Sequence, residues 1–207
     1  EMGLIDSAGI YLLSSQRHLD RGQDEPDRAQ YRRREYVFGV TGAAGFYRRT
    51  MLEDVAVDGE VFDVDFFAYR EDVDLAWRAQ WRGWRCLYVP EAEAVHVRRV
   101  TPERRALLPP EVNRASVRNR FLLRIKNQPL GHALRFAAPA LWRDLQVVAY
   151  TLLREHSSLP AFADLARLLP RMLRKRRQIM GRRVATNADV ARWFRERSRP
   201  IGGGACT

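Results

Sequence analysis

The sequence predicts an α/β module over residues 1–100, a basic, mainly α-helical region over 101–200 and a flexible glycine-rich tail over 201–207. Three observations carry this reading. Short apolar runs bounded by turn signals fill the first half, as expected for strands. Beyond Pro109-Pro110 the apolar residues recur at helical spacing. The charge divides at the same place: residues 1–96 hold 12 basic and 18 acidic groups, whereas 97–207 hold 24 basic and 7 acidic.

Taken in order, Ile10-Tyr11-Leu12-Leu13 reads as a strand and the polar run 14–34 as a long loop. A second strand, 36–40, leads into Thr41-Gly42-Ala43-Ala44-Gly45, where small residues let the backbone approach a ligand or another strand closely. Extended structure resumes at Phe46-Tyr47, a short helix covers 50–55, and Asp58-Gly59 marks a turn. Residues 71–82 read as an amphipathic helix, with Val73, Ala76, Trp77 and Gln80 on one side and Asp74 four residues before Arg78. Strands follow at 85–89 and 92–97. The second half reads as helices over 111–127, 133–156 with a break at Pro139, 161–180, and 188–197 behind a cap at Asn187.

At 207 residues and 46% hydrophobic, the chain has enough apolar material for a packed core, which excludes wholesale disorder. Cys86 and Cys206 are too few and too far apart for a disulfide framework or a zinc site. Acidic residues at the start stand where a secretory leader needs a basic region, so a reducing cytoplasm is expected. The most apolar stretch, 136–153, contains Arg143 and Asp144 and falls short of a transmembrane span, while interfacial helices remain allowed. A net charge of +11 concentrated in the second half points to a polyanionic surface. Arg135, Arg143, Arg154, Arg167, Arg171 and Arg174-Lys175-Arg176-Arg177, interleaved with apolar residues, suit an anionic membrane. Nucleic acid ranks lower because no recognised binding motif is present. Ordinary helical packing with a charged exterior is the third reading.

The residues richest in chemistry are Phe66-Phe67-Ala68-Tyr69-Arg70-Glu71-Asp72-Val73-Asp74-Leu75, followed by Trp84, Pro90 and His96. Adjacent carboxylates at a helix start are oriented by free backbone amides and kept ionised by the helix dipole, which suits a proton acceptor. Acidic residues in a first turn commonly do no more than cap it. Tyr69 and Trp84 offer a stacking surface for a sugar or, equally, core packing.

These residues, together with 5–9, Gly42-Ala43-Ala44-Gly45-Phe46-Tyr47-Arg48-Arg49 and Phe62-Asp63, resemble the acceptor half of family-2 glycosyltransferases of the GT-A fold, particularly rhamnosyltransferase-like bacterial members. The likeness spans roughly ninety residues in consistent order, and Arg118-Asn119-Arg120 extends it weakly. It implies an incomplete GT-A domain in which Asp72 is the general base that deprotonates the acceptor hydroxyl, with Glu71 assisting. Gly42, Ala43, Tyr69 and Trp84 would line the acceptor. His96 would complete a divalent-cation or diphosphate site for Mg2+ or Mn2+. The donor would be a nucleotide-diphosphate sugar, with rhamnose favoured, and the acceptor a cell-surface glycan or a lipid-linked molecule. The enzyme would work at the inner face of a bacterial plasma membrane.

The nucleotide-binding half of such an enzyme has no counterpart in these residues, so the chain reads as a fragment that is inactive alone. Two strings spell Asp-x-Asp, Asp63-Val64-Asp65 and Asp72-Val73-Asp74. The first follows a turn and the second lies in the proposed catalytic helix, so neither is expected to hold the metal.

Overall fold

The computed structural model describes residues 3–97 and 108–195, and within them the chain is mixed α/β. The expected tail at 201–207 and the end of the helix expected at 188–197 lie outside the described residues.

Strand β1 (Ile10–Leu13) pairs antiparallel with β2 (His18–Asp20). The polar run 14–34 is therefore not a plain loop but the return arm of a hairpin and a series of turns. Its polarity hid the arm because the organising residue is charged. Arg21 is buried, donates to the Ala8 carbonyl at 3.2 Å, pairs with Glu35, and lies over the Tyr31 and Tyr88 rings at 4.4 and 5.3 Å. Strand β3 (Glu35–Val37) pairs antiparallel with β4 (Cys86–Tyr88). The two sheets meet where the Ile10 amide donates to the Gly39 carbonyl at 2.8 Å.

Helix α1 (Arg49–Val55) precedes α2 (Glu71–Trp81), whose inner face buries Val73, Leu75, Ala76, Trp77 and Trp81. A β-carbon added at Gly39 would lie 2.4 Å from that of Ala76, so only glycine lets α2 pack this closely on the sheet. The second half begins with α3 (Pro110–Asn127), then α4 (Leu130–Arg135) and α5 (Ala137–Leu153). The break expected at Pro139 falls at Phe136 instead. Pro139 sits in the first turn of α5, where a missing amide hydrogen removes no intrahelical bond. Helix α6 (Pro160–Gly181) packs along α3.

The last helix, α7 (Asn187–Ala191), is shorter than expected and is capped by Thr186 rather than Asn187. Thr186 and Asp189 form a reciprocal capping box. After α7 the chain returns as β5 (Phe194–Arg195), parallel to β1. Residues 92–97 form no strand. One hydrophobic cluster takes Ile10, Phe38, Phe66, Trp77 and Trp81 from the first half and Leu122, Met172, Ile179 and Phe194 from the second. The helical half is thus packed into the core of the α/β half.

Candidate functional site

The segment before α2 is bent by three non-glycine residues at positive φ: Phe67 at 62°, Tyr69 at 66° and Arg70 at 73°. Each is a conformation that L-residues avoid, at a cost of order 1–3 kcal/mol apiece. Helix α3 holds the bend in place. The buried Asn119 amide donates to the carbonyls of Phe66, Ala68 and Tyr69 at 2.6, 2.7 and 3.0 Å. Arg118 donates to those of Asp65 and Phe66 at 2.7 and 3.2 Å, and Arg70 reaches back to the Ser116 carbonyl. Arg118 and Asn119 are therefore a clamp on the turn that delivers Glu71 and Asp72, while Arg120 bonds Asp144 and the Ser15 carbonyl.

Asp72 is half-buried at the start of α2. One carboxylate oxygen accepts from the Gly42 amide at 3.0 Å and the other from its neighbour Val73 at 2.7 Å. Burial lifts its pKa above the ordinary aspartate value; the two amides oppose that lift and the charge of Asp20, at the end of β2, adds to it. Glu71 is also raised, by burial first and then by Asp72, and one of its oxygens is buried with no hydrogen-bond partner among the described residues. Tyr47 lies against Gly45, where an added β-carbon would meet the ring at 2.7 Å; burial and the nearby Asp72 push its hydroxyl up to about 12. His18, on β2, is lowered to about 3 by burial and by Arg70, Arg17 and Arg120, so it is neutral at physiological pH.

The expected residues are only partly brought together. Gly42 meets Asp72 directly, and Ala43 is exposed beside it. Tyr69 sits in the strained turn, with its carbonyl held by Asn119. Trp84 is placed apart, beyond the far end of the 11-residue α2, roughly 16 Å of helix from Asp72. Its indole donates to Asp54 at 2.8 Å, alongside Arg82, which makes it part of a surface ion cluster. His96 is exposed and its Nδ1 lies 2.9 Å from an Asp6 carboxylate oxygen.

The described residues hold no group of three or more His, Cys, Asp or Glu able to bind a metal ion. His96 and Asp6 give two donors where Mg2+ or Mn2+ prefers six, so they do not by themselves fit the implied cation. Three of the four Asp-x-Asp carboxylates are occupied by cations of the fold. Lys126 lies 2.7 Å from Asp63 and 2.8 Å from Asp74, and Lys175 lies 2.6 Å from Asp63 and 2.9 Å from Asp65. Among the described residues one concavity is lined by Asp54, Arg78, Arg82 and Ile179 and another by Tyr11, Arg21, Glu35 and Trp193; Asp72 lines neither of these.

Asp20, Tyr47 and Asn119 were not among the candidates. A glycine two residues before a tyrosine is the local signal that could have found Tyr47. Asn119 stands in the Arg118-Asn119-Arg120 string that extends the resemblance without a role of its own, and Asp20 acts across the fold and leaves no local pattern. No family model, curated protein or solved structure matches the chain.

Proposed function

We propose that this chain supplies the acceptor-side, catalytic-base part of an inverting glycosyltransferase that uses a nucleotide-diphosphate sugar. The observation that carries the reading is Asp72, a half-buried carboxylate with a raised pKa, fixed by two backbone amides beside the exposed Gly42-Ala43-Ala44 loop. A base held above the usual aspartate range accepts a proton more readily than a free aspartate, and its fixed orientation lowers the cost of reaching the reactive geometry.

In the proposed step Asp72 takes the proton from an acceptor hydroxyl as its oxygen bonds to the anomeric carbon of the donor. The bond from that carbon to the diphosphate breaks on the opposite face, so the configuration inverts and the diphosphate leaves with the electron pair. Glu71, raised by burial and by its neighbour Asp72, assists beside the base. Tyr47, protonated throughout the physiological range, is a hydrogen-bond donor in the field of Asp72. His96 is proposed only as one donor toward the diphosphate side, and no step passes through a metal. The nucleotide calls for a binding part beyond the residues described. A rhamnosyl donor and a cell-surface glycan or lipid-linked acceptor rest on the sequence resemblance.

In an enzyme completed by its nucleotide-binding part, Asp72→Asn should lower turnover by about 10²–10⁴-fold while donor affinity is unchanged. Single-turnover transfer and donor titration measure the two. Wild-type turnover in the variant removes the assignment.

A further inference from the structure

The basic second half was expected to meet a polyanion through residues from Arg135, Arg143 and Arg154 to the α6 set of Arg167, Arg171 and Arg174-Lys175-Arg176-Arg177. Several of those charges are tied up in ion pairs, although among them only Lys175 is buried and Arg167, Arg171 and Arg174 stay exposed. Arg171 pairs with Asp65, Arg174 with Asp58, Lys175 with Asp63 and Asp65, and Arg167 with Asp164, while Arg176 donates to the Ile125 carbonyl. Their partners are largely acidic groups of the first half. The uneven charge thus helps to join the two halves of the molecule.

A different surface has the chemistry for lipid. Along α5 the exposed side chains are Ala138, Leu141, Trp142, Leu145, Ala149, Leu152 and Leu153, joined only by Pro139, Gln146 and Tyr150. Leu141, Trp142 and Leu145 are 60%, 66% and 62% exposed, and Leu130 and Leu134 of α4 extend the apolar area at 71% and 68%. Ala138, Leu141, Trp142, Leu145, Ala149, Leu152 and Leu153 follow helical spacing and form one continuous stripe. Side chains of this size exposed together on a soluble surface mark an interaction site. The charge around the stripe is one-sided. Between 129 and 154 the basic side chains are His132, Arg135, Arg143 and Arg154, and the sole acidic one is Asp144. Asp144 is bound to Arg120 and Arg124, while Arg135 and Arg154 are exposed at the two ends of α5.

We propose that α4 and α5 lie in the headgroup layer of an anionic membrane, with Trp142, Leu141 and Leu145 entering the acyl boundary and Arg135 and Arg154 reaching lipid phosphates. At 17 residues, roughly 25 Å, α5 is too short to span a bilayer, and no helix among the described residues is long and apolar enough to cross one. Lying in the interface satisfies an apolar stripe ringed by arginine, with Trp and Tyr at the polar boundary. The placement also reaches toward the candidate base. Arg120, which holds Asp144 of α5, donates its other arm to the Ser15 carbonyl in the β1–β2 turn, five residues before Asp20.

Cosedimentation of the 207-residue chain with vesicles of phosphatidylglycerol and phosphatidylcholine tests this without any transferase assay. Binding should require phosphatidylglycerol. Trp142→Glu with Leu145→Glu should weaken it by about tenfold or more, and Arg135→Gln with Arg154→Gln should remove its salt dependence. Both pairs are exposed, so the fold tolerates the changes. In α6, Arg171→Gln with Arg174→Gln should leave vesicle binding unchanged. Vesicle binding that is absent in the wild type, or unaltered by the α5 changes, overturns the proposal. So does a concentration-dependent dimer abolished by those changes without lipid binding, which would assign the stripe to a second copy. Loss of turnover in Asp72→Asn alongside intact vesicle binding keeps the two proposals separable.

Discussion

Asp72 and Asp74 stand two residues apart on one helix under opposite conditions. Asp74 is fully buried, yet Lys126 and Arg78 outweigh the burial and hold its carboxyl below the ordinary range; Asp63 is held down likewise by Lys126 and Lys175. Their folded values lie below the unfolded one, so the stabilisation is complete above about pH 4 and is lost as pH falls through the folded values. Asp72 carries the reverse sign. With its folded value raised, its contribution is greatest at low pH and declines as pH rises through the folded value, so the ionised form is held at a cost. The burial that prices one carboxylate as a poised acid–base group makes the other a structural anion because a cation accompanies it. Removing that cation should be severe: Lys126→Ala leaves Asp63 and Asp74 buried without their shared partner and should cost about 3–5 kcal/mol at neutral pH, shrinking on acidification. Urea unfolding at pH 7 and pH 4 measures both, and a loss within about 1 kcal/mol at neutrality would contradict the network.

At the scale of elements, the turn at 67–70 is the feature that most needs support. Three positive-φ residues in four positions persist because α3 satisfies the carbonyls they expose. Asn119→Ala should therefore cost about 2–4 kcal/mol and free the turn, which thermal unfolding and amide exchange at Glu71 and Asp72 would register. Unchanged exchange at those amides would show that the turn holds itself. Much of this region was legible in the sequence. The helix at 71–82 and its Asp74–Arg78 pair followed from periodicity, while the small residues at 41–45 announced a close approach to a ligand or strand and not the Gly42 bond to Asp72. The strain did not, since nothing in Phe67, Tyr69 or Arg70 announces positive φ. The β2 arm was missed because a buried arginine, Arg21, does the work that an apolar residue usually does. Trp84 was set at the acceptor by its stacking surface and the resemblance, but a full helix separates it from Asp72.

For the whole molecule, the division into an acidic and a basic half was correctly visible as composition, but composition cannot tell an outward charge from an inward one. In the fold Lys126, Arg171, Arg174 and Lys175 pair with acidic groups of the first half, Lys126 and Lys175 from buried positions, around a hydrophobic cluster drawn from both halves. β5 closes the arrangement by pairing with β1. One consequence is that the clamp on the strained turn and Lys126, which with Arg78 of α2 itself neutralises Asp74, come from the same basic half, so its packing helps set the electrostatic environment of α2. The account therefore turns on whether this packing leaves a poised carboxylate at 72. Carbon-13 titration of the aspartate carboxyl groups in the 207-residue chain, with Asp72→Asn to assign the signal, measures it directly. The midpoint for Asp72 should lie above the ordinary aspartate value of about 3.9, and a midpoint at or below it would contradict the assignment of the base.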